Sequence, residues 1–191
     1  MNLDGIDLVS WDVDGTLYPV RTLARWTRLV FLMRWRELGW TAAREEALRA
    51  KRHRRRVHRQ RQGEAKVEWD PEYAGDAEAL SVYVCGGLRW IKPAPGAIAL
   101  MDRIAAAGIT QVAISDFAAP QKLDAMGIRH RFAAAYSCEE LGHWKPSPLP
   151  FQHVQRTHQI SPEHHLHIGD REDLDGRAAT AAGGRFLLHR A

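Results

Sequence analysis

Only two cysteines, Cys85 and Cys138, occur in 191 residues. They are too few and too loosely placed for a disulfide framework, which makes a reducing cytoplasm the expected compartment. No apolar run approaches the roughly 20 residues of a membrane span. Residues 1–10 carry Asp4 and Asp7 and no apolar core, so they are not expected to be a signal peptide. Neither a P-loop nor a GxGxxG sequence is present, and nucleotide binding through those cradles is not supported. Lysine is scarce, five residues against 22 arginines, and no proline falls between Pro19 and Pro71.

What is there describes a globular chain. The hydrophobic fraction is 45%, with seven tryptophans, and the length allows one large domain or one core with an inserted subdomain. The net charge of +4 is unevenly spread, since nine of the 27 Lys and Arg residues lie between Arg44 and Arg61. Such a run has two readings: a nucleic-acid or anion-binding surface, or the solvated face of a helix in an arginine-rich protein.

The chain has two textures. From Arg21 to Arg61 it reads as helical, with Leu23, Trp26, Leu29, Val30 and Met33 at three- and four-residue spacing as a core-facing stripe. Gly39 marks a break between two helices, with Thr41 as a cap for the second. "WDPEYAGD", residues 69–76, reads as a turn. From Pro93 the texture becomes strand–helix alternation: "TQVAISD", "RFAAAYS", "HHLHIGD" and "RFLLH" as strands, separated by helical stretches. Repeated units of this kind predict an α/β fold, a Rossmann-like parallel sheet covered on both faces.

Ligands of such sheets gather at the carboxyl ends of the strands. Asp12 and Asp14, Ser115 and Asp116, and Asp170 all fall at predicted strand ends, and Lys145 lies in the loop "GHWKPSP" before a helix. Clustered carboxylates in a partly dry cleft repel one another and need a cation or shared protons. All-oxygen ligation points to a hard ion, and Mg²⁺ suits a site that meets a phosphate. A carboxylate can also act as a covalent nucleophile, with a second acid serving in proton transfer. His164, His165 and His167 offer no zinc site, because strand alternation separates His164 from the other two and no further ligand sits at the right spacing.

"DVDGTL" at 12–17, "VAISD" at 112–116, "KP" at 145–146 and "GDREDLD" at 169–175 resemble the four ordered motifs of the haloacid dehalogenase-like hydrolase superfamily. The resemblance covers roughly residues 6–20 and 90–188. It implies a core of residues 1–20 and 91–191, with residues 21–90 as an inserted helical cap. It makes Asp12 the nucleophile and a metal ligand, and Asp14 the general acid/base with its backbone carbonyl on the metal. Ser115 and Lys145 would hold the phosphoryl group, with Asp116 beside them where relatives often carry Asn. Asp170 and Asp175 would complete the Mg²⁺ ligands, with Asp173 as the alternative to Asp175. A phosphate-ester leaving group needs a proton and a halide does not, so Asp14 favours phosphatase over dehalogenase. The expected activity is Mg²⁺-dependent hydrolysis of a small phosphorylated metabolite through an aspartyl-phosphate. A phosphotransferase or phosphomutase with the same chemistry, and an anion- or nucleic-acid-binding protein using the basic helix, are the alternatives.

Overall fold

Strand β1 (Leu8–Trp11) is buried along its whole length, as a parallel strand covered on both faces should be. In the computed structural model, which describes residues 3–62, 66–67 and 69–191 (the side chains of 59–62 excepted), three long helices follow it. These are α1 (Val20–Leu38), α2 (Trp40–Gln62) and α3 (Pro71–Leu88). The chain then alternates: α4 (Pro95–Ala106), β2 (Thr110–Ser115), α5 (Ala119–Ala125), β3 (Ala134–Ser137), α6 (Leu149–His158), β4 (His165–Gly169), α7 (Arg177–Ala181) and β5 (Arg185–Leu188).

All five strands run parallel in the order β3–β2–β1–β4–β5, with Ser10 of β1 level with Val112 of β2 and His167 of β4. Alternation along each strand sorts the core into two layers. Val9, Trp11, Ala113 and Ile168 pack with Met101 and Ile104 of α4 and Leu123 of α5. Leu8, Val112 and Ile114 pack with Phe151 and Val154 of α6 and Ala178 of α7. The chain builds outward from β1 to β3, then returns to the other side for β4 and β5. That places the reversal of strand order between β1 and β4, where such sheets open a crevice at their carboxyl ends.

The helical region departs from its sequence reading in three places. Residues 69–76 are not a turn. Asp70 caps α3 by accepting the Tyr73 backbone N–H at 2.6 Å, and Pro71 occupies the first turn, where its missing N–H is no loss. Thr41 is not a cap, because α2 begins at Trp40 directly after Gly39, whose φ of 81° ends α1. The apolar stripe of α1 is also narrower than its spacing suggests. Leu23 and Val30 are buried, whereas Leu29 and Met33 are 37% and 45% exposed. The buried arc of α1 includes the line where α3 comes close: at Gly87 a Cβ would stand 2.8 Å from Leu23 Cδ1.

Nor is α2 simply solvated. Ala43, Ala50, His53 and Val57 form a buried stripe at helical spacing. Three arginines of the basic run are closed on acids of α3 or its cap: Arg49 and Arg52 on Asp76, and Arg56 on Asp70. Arg59 and Arg61, the last cations of the run, lie outside the described side chains.

Candidate active site

Asp12 immediately follows β1 and is buried. Its Oδ1 accepts from Lys145 Nζ at 2.6 Å, and its Oδ2 from the Thr16 hydroxyl at 3.2 Å. The same Lys145 ammonium donates to Asp175 Oδ1 at 2.7 Å, so one buried cation bridges two carboxylates. Asp170 follows β4 across the crevice. Gly15, at φ 92°, turns the chain off β1, and any Cβ there would collide with the Asp170 carboxylate. Oxygens of Asp12, Asp170 and Asp175 lie within 4.8 Å of one another.

Three carboxylates share one ammonium here, and the imbalance shows in their acidities. Burial pushes Asp12 up to about 7, against the pull of Lys145 and with the repulsion of Asp175 and Asp14. Burial, and then the charge of Asp175, raise Asp170 to about 6. For Asp175 burial acts upward too, but Lys145 and the His167 hydrogen bond outweigh it and hold the group well below the usual range. Lys145 is held strongly protonated, because Asp12 and Asp175 overcome its burial. An uncompensated all-oxygen cluster of this kind fits a hard divalent cation.

Asp14 is set apart from that cluster. Its Oδ1 accepts from the Tyr18 hydroxyl, and its Oδ2 from Lys122 Nζ and, at 3.3 Å, from the Ser115 hydroxyl. Ser115 is fully buried and also accepts from Lys122 at 3.1 Å. The Lys122 ammonium lies 3.5 Å from the centroid of the Phe117 ring, which offers it a cation–π contact. Asp116 accepts the Lys145 backbone N–H at 3.3 Å, so it ties β2 to the loop that carries the lysine.

Of Asp173 and Asp175, the two alternatives in the fourth motif, Asp175 joins the site. Asp173 is exposed and paired with Arg171, its hydrogen bonds at 2.9 Å or shorter. Of the carboxylates assigned to metal from the sequence, Asp12, Asp170 and Asp175 come together. The Asp14 carboxylate, expected in proton transfer with only its backbone carbonyl on the metal, turns to Tyr18, Lys122 and Ser115.

Sequence reasoning missed Lys122 and Tyr18. The scarcity of lysine was a usable signal, since Lys122 and Lys145 are two of only five and both are fully buried. Also missed was a chain of buried polar groups behind Asp175. Gln155 Nε2 lies 3.3 Å from His165 Nδ1, and His165 Nε2 lies 2.7 Å from Ser10 Oγ. Ser10 Oγ is 2.8 Å from His167 Nδ1, and His167 Nε2 is 3.4 Å from Asp175 Oδ1. Burial lowers both histidines, His165 to about 3, so both rings are neutral. One assignment then satisfies the row: Gln155 donates to His165, and His165, Ser10 and His167 each accept from behind and donate on toward Asp175. The histidines that fail as a metal cluster instead orient a carboxylate.

The cleft above these groups measures about 420 Å³. Its floor is Asp12, Asp14, Asp116, Lys145, Asp170 and Asp175, and its opposite wall includes Leu23, Thr27, Arg54 and Val84 from the three long helices.

Comparison with known proteins accords with this geometry. Residues 6–183 match the family of haloacid dehalogenase-like hydrolases. The chain is 30% identical to the glyceraldehyde 3-phosphate phosphatase of Methanopyrus kandleri over 93% of its length and 81% of the relative. CbbY of Rhodobacter sphaeroides, solved with phosphate, shares the fold at a TM-score of 0.67 and 21% identity, covering 97% of this chain and 87% of that one. The HAD-hydrolase YfnB of Bacillus subtilis, solved with magnesium, does so at 0.65 and 17%, covering 96% and 88%. With its strand-end acids in place and the family matched from before β1 to beyond α7, the chain belongs to the haloacid dehalogenase-like hydrolases.

Proposed function

We propose that the chain is a phosphatase for a small phosphorylated substrate, working through a covalent phosphoryl group on Asp12. The observation that carries this is Asp12 itself: a buried carboxylate at the β1–β4 reversal, bonded to Lys145 and within reach of Asp170 and Asp175. The phosphatase activity named for the Methanopyrus relative supports it.

In the proposed reaction the Asp12 carboxylate forms a bond to phosphorus as the bond to the leaving oxygen breaks. Asp14 gives its proton to that oxygen, and the alcohol departs. Asp14 then takes a proton from a water that attacks the aspartyl-phosphate, which releases inorganic phosphate and restores the Asp12 carboxylate. Lys145 holds phosphoryl oxygens against the charge of the site. Ser115 would turn its proton from Asp14 to a phosphoryl oxygen, with Lys122 keeping its oxygen in place. Asp12, Asp170 and Asp175, with the backbone carbonyl of Asp14, would hold Mg²⁺, which when bound neutralises the carboxylates and the phosphoryl charge. Residues 21–90 serve as the cap that closes over the cleft and excludes water.

The test is hydrolysis of p-nitrophenyl phosphate with Mg²⁺ by the parent protein and by Asp12→Asn. The variant should keep the fold and lose on the order of a thousandfold or more in kcat, as when a nucleophile is removed. Activity should also vanish with a chelator and return with Mg²⁺. Near-normal turnover by folded Asp12→Asn would overturn the covalent mechanism.

A further inference from the structure

A second cavity, of about 440 Å³, lies among α1, α2 and α3. Its wall is apolar: Phe31 and Leu32 from α1, Ala47 and Ala50 from α2, and Leu80 from α3. Three exposed cations, Arg28, Lys51 and Arg54, together with Thr27 and Tyr83, complete the lining. The cavity shares Thr27 and Arg54 with the catalytic cleft, so the two spaces adjoin at those residues.

The three cations differ from four arginines of the same two helices, and share with Arg25, Arg44 and Arg55 the lack of a partner among the described residues. Arg34, Arg49, Arg52 and Arg56, on the same two helices, each close on an acid. Among the described residues, Arg28, Lys51 and Arg54 make neither an ion pair nor a hydrogen bond. An apolar cavity of this size, ringed by cations without partners, is complementary to an apolar body carrying negative charge. Its place beside the cleft, across Thr27 and Arg54, says which body. The side of the cleft facing it is itself lined by Val20, Leu23, Ala24 and Val84.

We infer that this cavity receives the leaving-group portion of the substrate: an apolar chain or ring bearing a second anionic group. The phosphoryl group sits over Asp12, Arg54 at the junction pairs with the second anion, and the apolar body lies against Phe31, Leu32 and Leu80. The guanidinium of Arg54 suits a carboxylate or phosphate by paired hydrogen bonds, with Arg28 and Lys51 adding unpaired positive charge. This rests on the phosphatase reading and names its substrate class.

The test compares methyl, hexyl and 6-carboxyhexyl phosphate as substrates of the Mg²⁺-supplied protein. Each methylene that enters the cavity should raise kcat/KM, by up to about fourfold. The carboxylate should raise it further. In Arg54→Gln the ratio of kcat/KM for 6-carboxyhexyl over hexyl phosphate should fall about tenfold. In Leu32→Glu, at an exposed position where folding is not at stake, the ratio of hexyl over methyl phosphate should fall toward one. Equal kcat/KM for all three substrates would overturn the inference, as would ratios that survive both substitutions. The two readings fail separately. Calorimetric binding of 6-carboxyhexyl phosphate that is lost in Leu32→Glu, without turnover by the parent, would keep the cavity assignment and remove the phosphatase. Turnover with no preference among the substrates would do the reverse.

Discussion

At the carboxyl edge of the sheet every named cation is closed on an acid. Lys145 spans Asp12 and Asp175, and Lys122 joins Asp14 and Ser115, all close to full burial except the half-buried Asp14. Across the cleft, Arg54 of α2 stands exposed, with no partner among the described residues, and Arg28 and Lys51 stand likewise beside it. The two sides divide the labour. Buried charges are fixed in place when the chain folds, so they meet a reacting group with little rearrangement. Exposed arginines add little to stability and remain available to a ligand. Chemistry should therefore be sensitive to small changes on the floor, and selectivity to changes on the helices.

The sharpest way to break that division is Asp14→Asn. Loss of the acid should lower kcat for ethyl phosphate by about 10²–10⁴-fold. The loss should be clearly smaller for p-nitrophenyl phosphate, whose leaving group departs without a proton. Equal losses on the two substrates would remove Asp14 from proton transfer. A smaller effect is expected of Lys122→Met, which removes the charged donor to both Asp14 and Ser115. By analogy with other supporting partners, kcat should fall about 10–100-fold, in equal proportion for every substrate. A change in substrate preference instead would show that the floor also selects.

The smallest effect concerns acid. His165 titrates near 6.5 in the unfolded chain but only at about 3 in the fold, where burial and then the neighbouring His167 disfavour its charge. Below pH 6.5 the unfolded chain binds a proton that the native state refuses, so stability is lost as pH falls through that window. The loss is about 1.4 kcal/mol per pH unit for this one group. Asp12 and Asp170, raised by burial, act in the opposite sense in this window, so the effect is read by difference: between pH 7 and pH 5 the melting temperature of the parent should fall relative to that of His165→Gln. An unchanged difference would mean that other groups carry the acid sensitivity.

The sheet was legible because parallel strands covered on both faces carry unbroken apolar runs, and because Asp12, Ser115 and Asp170 fall where those runs stop. Asp175 and Lys145 could be named by their motif spacing, although the bridge they form is a fact of three dimensions. The helical region was harder to read for a physical reason. A helix packed on two others hides only part of its apolar residues, so spacing on α1 could not say that Met33 faces outward. Pro71 and Gly75 suggested a turn, yet Asp70 before the proline is the cap that starts α3. His53 sits inside a run of arginines as if solvated, but it is buried edge-on against Tyr73, with ring centroids 4.8 Å apart. Lys122 escaped notice because α5 brings it back over Ser115 from seven residues away, a return that no strand periodicity encodes.

The row of groups from Gln155 to Asp175 restricts how this sequence can drift. Gln155 donates at one end and Asp175 accepts at the other, while His165, Ser10 and His167 between them each accept from one neighbour and donate to the next; the members come from α6, β4, β1 and the turn before α7. Exchanging any one of the middle three for an apolar residue strands a buried polar atom on each side of the gap, a penalty that replacing His165, Ser10 and His167 together with well-packed apolar groups would largely avoid. These positions therefore form a single heritable unit spread over 166 residues of sequence (Ser10 to Asp175, inclusive). Relatives that lose Ser10 should be found to have lost His165 and His167 with it.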